Sequence, residues 1–565
     1  MPNTVLHNVT ETAIRSWAEV EPILIELSNR PLDSKTALEA WLKDRSTLEE
    51  RLQEDMGWRY IRHTCDTEDK AKLEALDFFI QEIEPHLANY TDKLNRKLLD
   101  CPFIAELTST GYSVYLRSVK KEVEIFKEEN IPLLTEIQTL SNTYGQISGA
   151  MTVEIDGIEK TLQQAVVELK STNRDRRKTV FEKINRRRLL AVNELNALFD
   201  QLFRLRHQTA VNAGYANFRD YMFDALGRFD YTPEQCFDFH KSIEEHIVPL
   251  IDDFNLKRKQ SLGYDVLKPW DMDVDPEQKS PLHPYENATE LIEKTIALFE
   301  EIRPEFGKVI RLMQERGHLD LDSRIGKAPG GYNYPLHQSS LPFIFMNSAG
   351  TLRDMVTMMH EGGHAVHSWL SRNLELGAFK STPSEIAEVA SMAMELISME
   401  HWNHFFADAE ELKRARKYQL EKILSILPWI AIVDAFQNWL YTHPQHSAEE
   451  RKSHWLHLLQ RYEGKVVDRS DFTEFQEYSW HKQLHIFEVP FYYVEYGIAQ
   501  LASIAIWKNY KENPAQTLNA YTKALEVGYT LTLPELYELA GIKFDFSGAY
   551  IKDIASFVRA EYAKL

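Results

Sequence analysis

The stretch LRDMVTMMHEGGHAVHSW, residues 352–369, decides how the sequence is interpreted, because its apolar residues recur at helical spacing. Its centre reads His360-Glu361-Gly362-Gly363-His364. Residues i and i+4 of an α-helix share one face, so both histidines can present imidazole nitrogens to one metal ion. Glu361 follows the first histidine and can reach a water molecule on that ion. This is the H-E-x-x-H pattern of zinc peptidases, in which the glutamate is the general base.

The two glycines inside this motif need a reason. Each costs about 1 kcal/mol relative to alanine in the interior of a helix. Glycine is favoured where a substrate or another backbone approaches closely. Gly362 and Gly363 therefore indicate a close approach at the candidate metal site.

A catalytic zinc needs a third protein ligand and an open fourth position. The run Thr382-Pro383-Ser384-Glu385 predicts the start of the next helix, with its threonine as N-cap, its proline at the first position and its glutamate closing a capping box. Glu388 lies one turn further and is the predicted third ligand. Glu395 falls near the same face and is a candidate to hydrogen-bond a metal-bound histidine, although an ordinary helix carboxylate fits the pattern equally well.

The 565-residue chain has a globular composition, with 44% hydrophobic and 27% charged residues. Its net charge of −20 repels phosphate backbones, so no nucleic-acid partner is predicted. Three cysteines are too few for a disulfide framework. Residues 1–5 lack the pattern of an export signal, and the longest strongly apolar stretch, residues 424–433, is too short for a membrane span. A cytoplasmic protein with no membrane partner is expected.

Most of the chain predicts long amphipathic helices. Apolar and charged residues recur at helical spacing over residues 35–53, 70–99 and 179–210. With 22 glycines and 22 prolines, helix breakers are rare, so a predominantly helical, all-α fold is predicted. A boundary near residue 190 divides an N-terminal helical lobe, residues 1–190, from a catalytic lobe, residues 191–565. The basic stretch 174–188 permits nucleic-acid binding, but a solvated helix face is favoured in an acidic protein.

Two short stretches break the helical pattern. Residues 153–162 have alternating apolar positions around Asp156-Gly157, which predicts a β-hairpin. Residues 341–347 (LPFIFMN) follow the loop Ala328-Pro329-Gly330-Gly331 and predict a strand, and Pro342 favours an edge position. An edge strand beside the metal could pair with an extended peptide, although an ordinary structural strand has the same pattern.

The sequence resembles the thimet oligopeptidase and oligoendopeptidase F family of zinc peptidases, and the oligoendopeptidase F branch in particular. The resemblance is carried by the metal motif continuing to His367, by Glu388-Val389-Ala390-Ser391, by Ser171-Thr172-Asn173-Arg174 and by Pro490-Phe491-Tyr492-Tyr493. It spans roughly residues 110–560. The glutamate that opens the family's Glu-x-x-Ser group is its third zinc ligand, which corresponds to Glu388.

The resemblance implies one Zn²⁺ per chain, held by His360, His364 and Glu388, with Glu361 as general base. It implies an ellipsoidal, all-helical zincin-type fold with a deep central channel and small β elements beside the active site. Such a channel would admit short peptides and exclude folded proteins. The resemblance says nothing about the oligomeric state.

The family also has catalytic tyrosines and a histidine near its C-terminus. The run HKQLHIFEVPFYYVEY, residues 481–496, supplies His485, Tyr493 and Tyr496, which the resemblance implies as donors to the developing oxyanion. The thimet branch has a further tyrosine where this chain has Val489. Which of His485, Tyr492, Tyr493 and Tyr496 acts therefore stays open, and a core aromatic cluster is the alternative.

The implied function is hydrolysis of internal bonds in short, unstructured peptides. A zinc carboxypeptidase or dipeptidyl carboxypeptidase could use the same ligands and cut from one end. A non-catalytic helical peptide-binding protein is the third alternative, and the complete set of His360, Glu361, His364 and Glu388 argues against it.

Overall fold

The computed structural model of the chain describes residues 13–324, 326–328 and 330–565. Residues 1–12, which include the N-terminal stretch without an export-signal pattern, lie outside the described residues, as does Pro329 of the predicted glycine-rich loop.

The protein is 72% helical and has only small sheets, which confirms the predicted all-α class. The predicted helical stretches 35–53, 70–99 and 179–210 all lie in helices. A π-helical segment, Phe79–Ile83, interrupts the second stretch, and the third is divided between two helices. The helices of the described residues are α1 (Trp17–Asn29), α2 (Lys35–Cys65), α3 (Lys70–Phe78), α4 (Glu84–Leu99), α5 (Thr110–Ile125), α6 (Ile131–Gly149), α7 (Leu162–Val167), α8 (Arg174–Leu189), α9 (Val192–Asn212), α10 (Phe218–Ala225), α11 (Pro233–His246), α12 (Val248–Leu262), α13 (Ala288–Ile302), α14 (Pro304–Arg316), α15 (Leu352–Ser371), α16 (Gly377–Lys380), α17 (Ser384–Met399), α18 (Ala409–Thr442), α19 (Ala448–Tyr462), α20 (Thr473–Glu477), α21 (Leu484–Phe487), α22 (Tyr493–Glu512), α23 (Pro514–Glu526), α24 (Leu533–Leu539) and α25 (Gly548–Ala563).

The chain forms two compact units, each assembled from three segments. The first unit contains Met1–Glu128, His283–Leu412 and Ala502–Phe544, and the second contains Glu129–Leu282, Lys413–Leu501 and Asp545–Leu565. Residue 190, where the sequence predicts a change of lobe, lies inside the segment Glu129–Leu282 of the second unit.

Helix α15 lies at the centre of the first unit, where it packs against α14, α17 and α23. Its residues Met355, Met358 and Met359 have no exposed surface. A helix that is apolar on more than one face is stable only when other elements cover it. The metal motif predicted from the sequence therefore lies on a rigid, buried element.

The first unit also contains a three-stranded sheet, made of β3 (Leu319–Asp322), β4 (Tyr332–Tyr334) and β5 (Phe343–Ser348) in the order β3-β5-β4. Strand β5 is the predicted strand 341–347, but it is the central strand and not an edge. It pairs in parallel with β3 and antiparallel with β4, so both of its hydrogen-bonding edges are occupied. The prediction that this strand pairs with a peptide is wrong for that reason. Pro342 precedes β5, where a missing N–H costs nothing.

The hairpin of the second unit is where the sequence predicts it. Strands β1 (Thr152–Ile155) and β2 (Ile158–Thr161) pair antiparallel around Asp156 and Gly157, whose φ angles are 55° and 78°. Positive φ at both central residues is the signature of a type I′ turn, which Asp-Gly favours. The local sequence therefore determines this element.

The basic stretch on α8 is only partly a solvated face. Arg177 is fully buried and donates to Asp271 Oδ1 at 2.8 Å and to the carbonyl oxygen of Trp270 at 3.0 Å. Arg174 donates to the other carboxylate oxygen of Asp271 at 2.6 Å. The interpretation as a solvated face is therefore wrong for Arg177, because its hydrogen bonds connect α8 to Trp270 and Asp271.

Among the described residues, one helix, α18, is long and apolar enough to cross a membrane by length and composition alone. Of its most apolar window, 72% is buried inside the protein. The predicted buried helix at residues 424–433 lies within it.

Candidate functional site

Helix α15 comes into backbone contact with α17 at Gly363, the second glycine of the metal motif. A Cβ atom added at Gly363 would lie 2.7 Å from the carbonyl oxygen of Ala390 and 2.7 Å from the Cα of Ser391. A Cβ atom at Gly362 would lie 2.7 Å from the ring of Phe299. The predicted close approach is therefore made by another helix, and it brings α17 next to the histidines of α15.

The close approach assembles the three predicted ligands. The Oε2 atom of Glu388 lies 3.3 Å from His360 Nε2 and 3.7 Å from His364 Nε2. One ligand atom from each of these three residues lies within 4.8 Å of the others. Glu388 is buried, and each histidine keeps about a fifth of its side chain exposed (20% and 19%). Among the described residues, no other group of three or more His, Cys, Asp or Glu side chains meets the same distance criterion.

These separations suit one small cation. A tetrahedral ion bound at about 2.0–2.2 Å places its ligand atoms about 3.3–3.6 Å apart. The two nitrogen–oxygen distances of 3.3 and 3.7 Å are close to that edge length. Two imidazoles and a carboxylate are also a donor set that zinc prefers. The residues present therefore fit the ion that the sequence predicts.

Two further side chains orient the ligands. Glu395 Oε1 lies 2.7 Å from His360 Nδ1, so the predicted hydrogen bond is present and leaves Nε2 directed at Glu388. The Ser391 hydroxyl donates to Glu388 Oε2 at 3.1 Å. Partners of this kind fix the tautomer and direction of a metal ligand.

Burial and hydrogen bonding act in opposite directions on the pKa values of the ligand set. Burial opposes protonation of His360, but hydrogen bonds to Glu388 and Glu395 outweigh it and raise its pKa well above the usual value. Burial raises the pKa of a carboxyl group, yet the hydrogen bond to His360 and the nearby imidazoles lower that of Glu388 to about 2. Burial lowers the pKa of His364 to about 4. A dication favours the neutral imidazole, so its binding would displace the extra proton from His360.

Glu361, the predicted general base, is buried on α15 next to His360. Its residue is 6% exposed, and burial raises the pKa of its carboxyl group to about 7. Its backbone carbonyl accepts a hydrogen bond from Asn333 Nδ2 of β4 at 3.1 Å. The sheet therefore packs beside the motif, as the small β elements of the predicted fold require. His367 is buried on the same helix.

The predicted C-terminal residues form a cluster within the second unit. The ring of His485 lies 4.8 Å from that of Tyr493, 5.8 Å from that of Tyr496 and 6.0 Å from that of Tyr492, measured between ring centroids. Tyr493 and Tyr496 are 5.5 Å apart. The structure thus brings together all four of the residues among which the sequence leaves the choice open.

The cluster has a defined hydrogen-bond support. Gln483 Nε2 lies 2.7 Å from His485 Nδ1, and Gln483 Oε1 accepts from the indole N–H of Trp429 at 2.8 Å. Burial raises the pKa of Tyr493 to about 12. Its hydroxyl therefore stays protonated near neutral pH and is able to donate a hydrogen bond.

One local prediction is corrected. Helix α17 begins at Ser384 with Pro383 in the N-cap position, and no side chain caps it. Thr382 is therefore not the N-cap, because the backbone of Pro383 is itself still extended, with φ −63° and ψ 153°, and the helix starts one residue later than predicted. Glu385 is buried at 2% exposure, and it does not close a capping box on Thr382. The shift leaves the position of Glu388 on the helix unchanged.

Some supporting residues carry no sequence signal. Asn333 donates to the carbonyl oxygen of Glu361 from a strand 28 residues earlier, and nothing in the sequence relates the two positions. Gln483 lies two residues before His485, but no motif marks it as a partner of that histidine. Ser391 was recognisable only as a member of the Glu-x-x-Ser group.

An H-E-x-x-H pair on one helix and a glutamate on a later helix are together typical of metal-dependent peptidases. Comparison with known proteins gives the family. The profile of Peptidase family M3 matches residues 167–556, and that of the Peptidase M3 N-terminal domain matches residues 13–126. The first match covers more than half of the chain, so the chain belongs to Peptidase family M3.

Individual relatives agree with this assignment. An oligoendopeptidase F homolog from Borreliella burgdorferi is 26% identical over 432 residues, which are 73% of this chain and 70% of that protein. An oligoendopeptidase F homolog from Lactococcus lactis is 23% identical, and the match spans 56% of this chain and 52% of that protein. The solved structure of PZ peptidase A with an inhibitor superposes with a TM-score of 0.90 at 26% identity and covers 99% of both chains.

The resemblance stated from the sequence is thereby confirmed. The protein is a member of a family of peptidases that is generally metal-dependent.

Proposed function

We propose that this protein is a zinc-dependent endopeptidase that hydrolyses internal bonds of short, unstructured peptides in the cytoplasm. The observation that supports it most is the convergence of His360, His364 and Glu388 beside the buried carboxyl group of Glu361. The three free cysteines agree with a reducing compartment.

His360, His364 and Glu388 would hold one zinc ion, which when bound lowers the pKa of water and polarises a carbonyl oxygen. Glu395 and Ser391 keep His360 and Glu388 directed at that position. Their hydrogen bonds reduce the reorganisation needed when the ion binds.

Glu361 takes the proton of the attacking water and then gives it to the leaving amine. Its residue is buried, so the carboxyl group is shielded from bulk solvent. Tyr493, Tyr496 or His485 donates a hydrogen bond to the oxyanion as the scissile carbonyl becomes tetrahedral. Tyr493 suits this role because its hydroxyl keeps its proton at neutral pH.

The experiment that tests this function uses unstructured peptides of graded length. The protein is treated with 1,10-phenanthroline, dialysed, and assayed before and after Zn²⁺ is restored, and the products are identified by mass spectrometry. Internal cuts that disappear with the chelator and return with zinc are expected.

Removal of one residue or one dipeptide at a time from the carboxyl end would instead establish the carboxypeptidase alternative. Peptide binding without cleavage by the zinc-loaded protein would establish the non-catalytic alternative. Internal cleavage that the chelator leaves unchanged would contradict the metal dependence.

A further inference from the structure

Phe491, two residues before the start of α22, has an unusual backbone conformation. Its φ angle is 70°, in the left-handed region. Glycine enters this region freely, whereas a bulky aromatic residue there is a genuine outlier. Such a conformation persists only where the surrounding structure enforces it, and it is often found at functional sites.

The backbone of Phe491 is held on both sides by buried side chains. Its N–H donates to Gln437 Oε1 at 2.9 Å. Its carbonyl oxygen accepts a hydrogen bond from the guanidinium of Arg228, which also donates to Glu495 Oε1 at 2.7 Å. Gln437 has no exposed surface, and Arg228 and Glu495 are 4% and 3% exposed.

The segment before Phe491 is fixed in the same way. Arg206, 1% exposed, donates to the carbonyl oxygens of Ile486 and Phe487. The ring of Phe491 lies 5.4 Å from that of Tyr441, and Arg206 also donates to the Tyr441 hydroxyl at 2.9 Å. Two buried arginines therefore anchor the backbone carbonyls of the segment that runs from His485 to Tyr493.

We propose that Gln437 and Arg228 are positioning residues, which hold Phe491 in its left-handed conformation and thereby set the direction of Tyr493 and Tyr496. Rotation about the N–Cα bond of Phe491 redirects every residue that follows it, including the first turn of α22. A hydrogen-bond donor supports catalysis only when it is already aimed at the developing charge. The inference rests on the proposed function, because the tyrosines matter to the rate only if the protein is a peptidase.

Substitutions at Gln437 separate positioning from general packing. Gln437→Met removes the acceptor of the Phe491 N–H at nearly the same volume, and Gln437→Glu keeps an oxygen there. Gln419→Met is the matched control, because Gln419 is also buried at 4% exposure on α18 and is five turns earlier. Arg228→Lys is a second variant, since one ammonium replaces the fork that contacts Phe491 and Glu495 together.

We expect Gln437→Met to lower kcat by about tenfold or more, with KM within about twofold of the wild type. Gln437→Glu should recover most of the lost kcat, and Arg228→Lys should resemble Gln437→Met. Zinc content should equal that of the wild type in all variants. Hydrogen exchange followed by mass spectrometry should show faster exchange of the segment 484–496 in Gln437→Met and not in Gln419→Met.

Wild-type kcat in Gln437→Met, an equal loss in Gln419→Met, or unchanged exchange of the segment 484–496 would each overturn the inference. Failure of the proposed function gives a different result. An inactive, zinc-loaded wild type would overturn the proposed function, while the exchange of this segment would still decide whether Gln437 holds it in place.

Discussion

The contact between Gly363 and α17 leads to a quantitative prediction for Gly363→Ala. The added Cβ atom would lie 2.7 Å from two backbone atoms of α17, and an ordinary contact is at least 3.4 Å. The two helices must therefore separate locally by about 0.7 Å. Forced overpacking costs about 1–3 kcal/mol, against the gain of about 1 kcal/mol that alanine brings to a helix interior. We therefore expect a net destabilisation of the first unit of up to about 2 kcal/mol.

The effect on metal binding should exceed the effect on stability. Glu388 is on α17 and the histidines are on α15, so separation of the helices moves one ligand away from the other two. Metal–ligand distances tolerate a deviation of only about 0.2 Å. Mutation of the residues that orient the ligands typically lowers metal affinity by about 10–100-fold. We expect zinc affinity, measured by competition with a chromophoric chelator, to fall by at least about tenfold.

Gly145→Ala is the control for this prediction. Gly145 is inside α6, where an added Cβ atom would meet only Glu488 Oε1 at 3.9 Å. This variant should gain up to about 1 kcal/mol of stability and keep wild-type zinc affinity. Gly363→Ala with unchanged zinc affinity and an equal or higher melting temperature would refute the explanation given for the paired glycines.

Two further predictions concern single side chains. Glu388→Ala should lose zinc on dialysis, because only two imidazoles remain as ligands, while circular dichroism stays helical. Full metal occupancy by atomic emission would count against Glu388 as a ligand. Tyr493→Phe should keep its zinc and lower kcat by about 10²–10³-fold with little change of KM, because one donor to the oxyanion is removed. An unchanged kcat would assign the role to Tyr496 or His485.

The sequence predicts the elements whose causes are local. The i and i+4 histidines, the Asp156-Gly157 turn and the apolar periodicity of residues 352–369 each depend on neighbours a few residues away, and all three are found as predicted. The glycine pair also indicates a close approach, although the identity of the partner helix needs the fold.

The sequence fails where long-range pairing decides the outcome. Residues 341–347 have the composition of a strand, but whether a strand is central or at an edge depends on its pairing with β3 and β4, which its own composition does not specify. Arg177 looks like one of many surface charges until Asp271, almost a hundred residues away, is placed beside it. The division into two compact units of three segments each is likewise invisible to local composition.

The most direct test of the proposed mechanism compares the wild type with Glu361→Gln. Both proteins are loaded with zinc, their metal content is measured, and their products from a mixture of unstructured peptides are identified by mass spectrometry. We expect one zinc per chain in both proteins and internal cleavage by the wild type alone, because the amide cannot take the proton from water. Cleavage by Glu361→Gln at a rate close to that of the wild type would contradict the assignment of Glu361 as the general base.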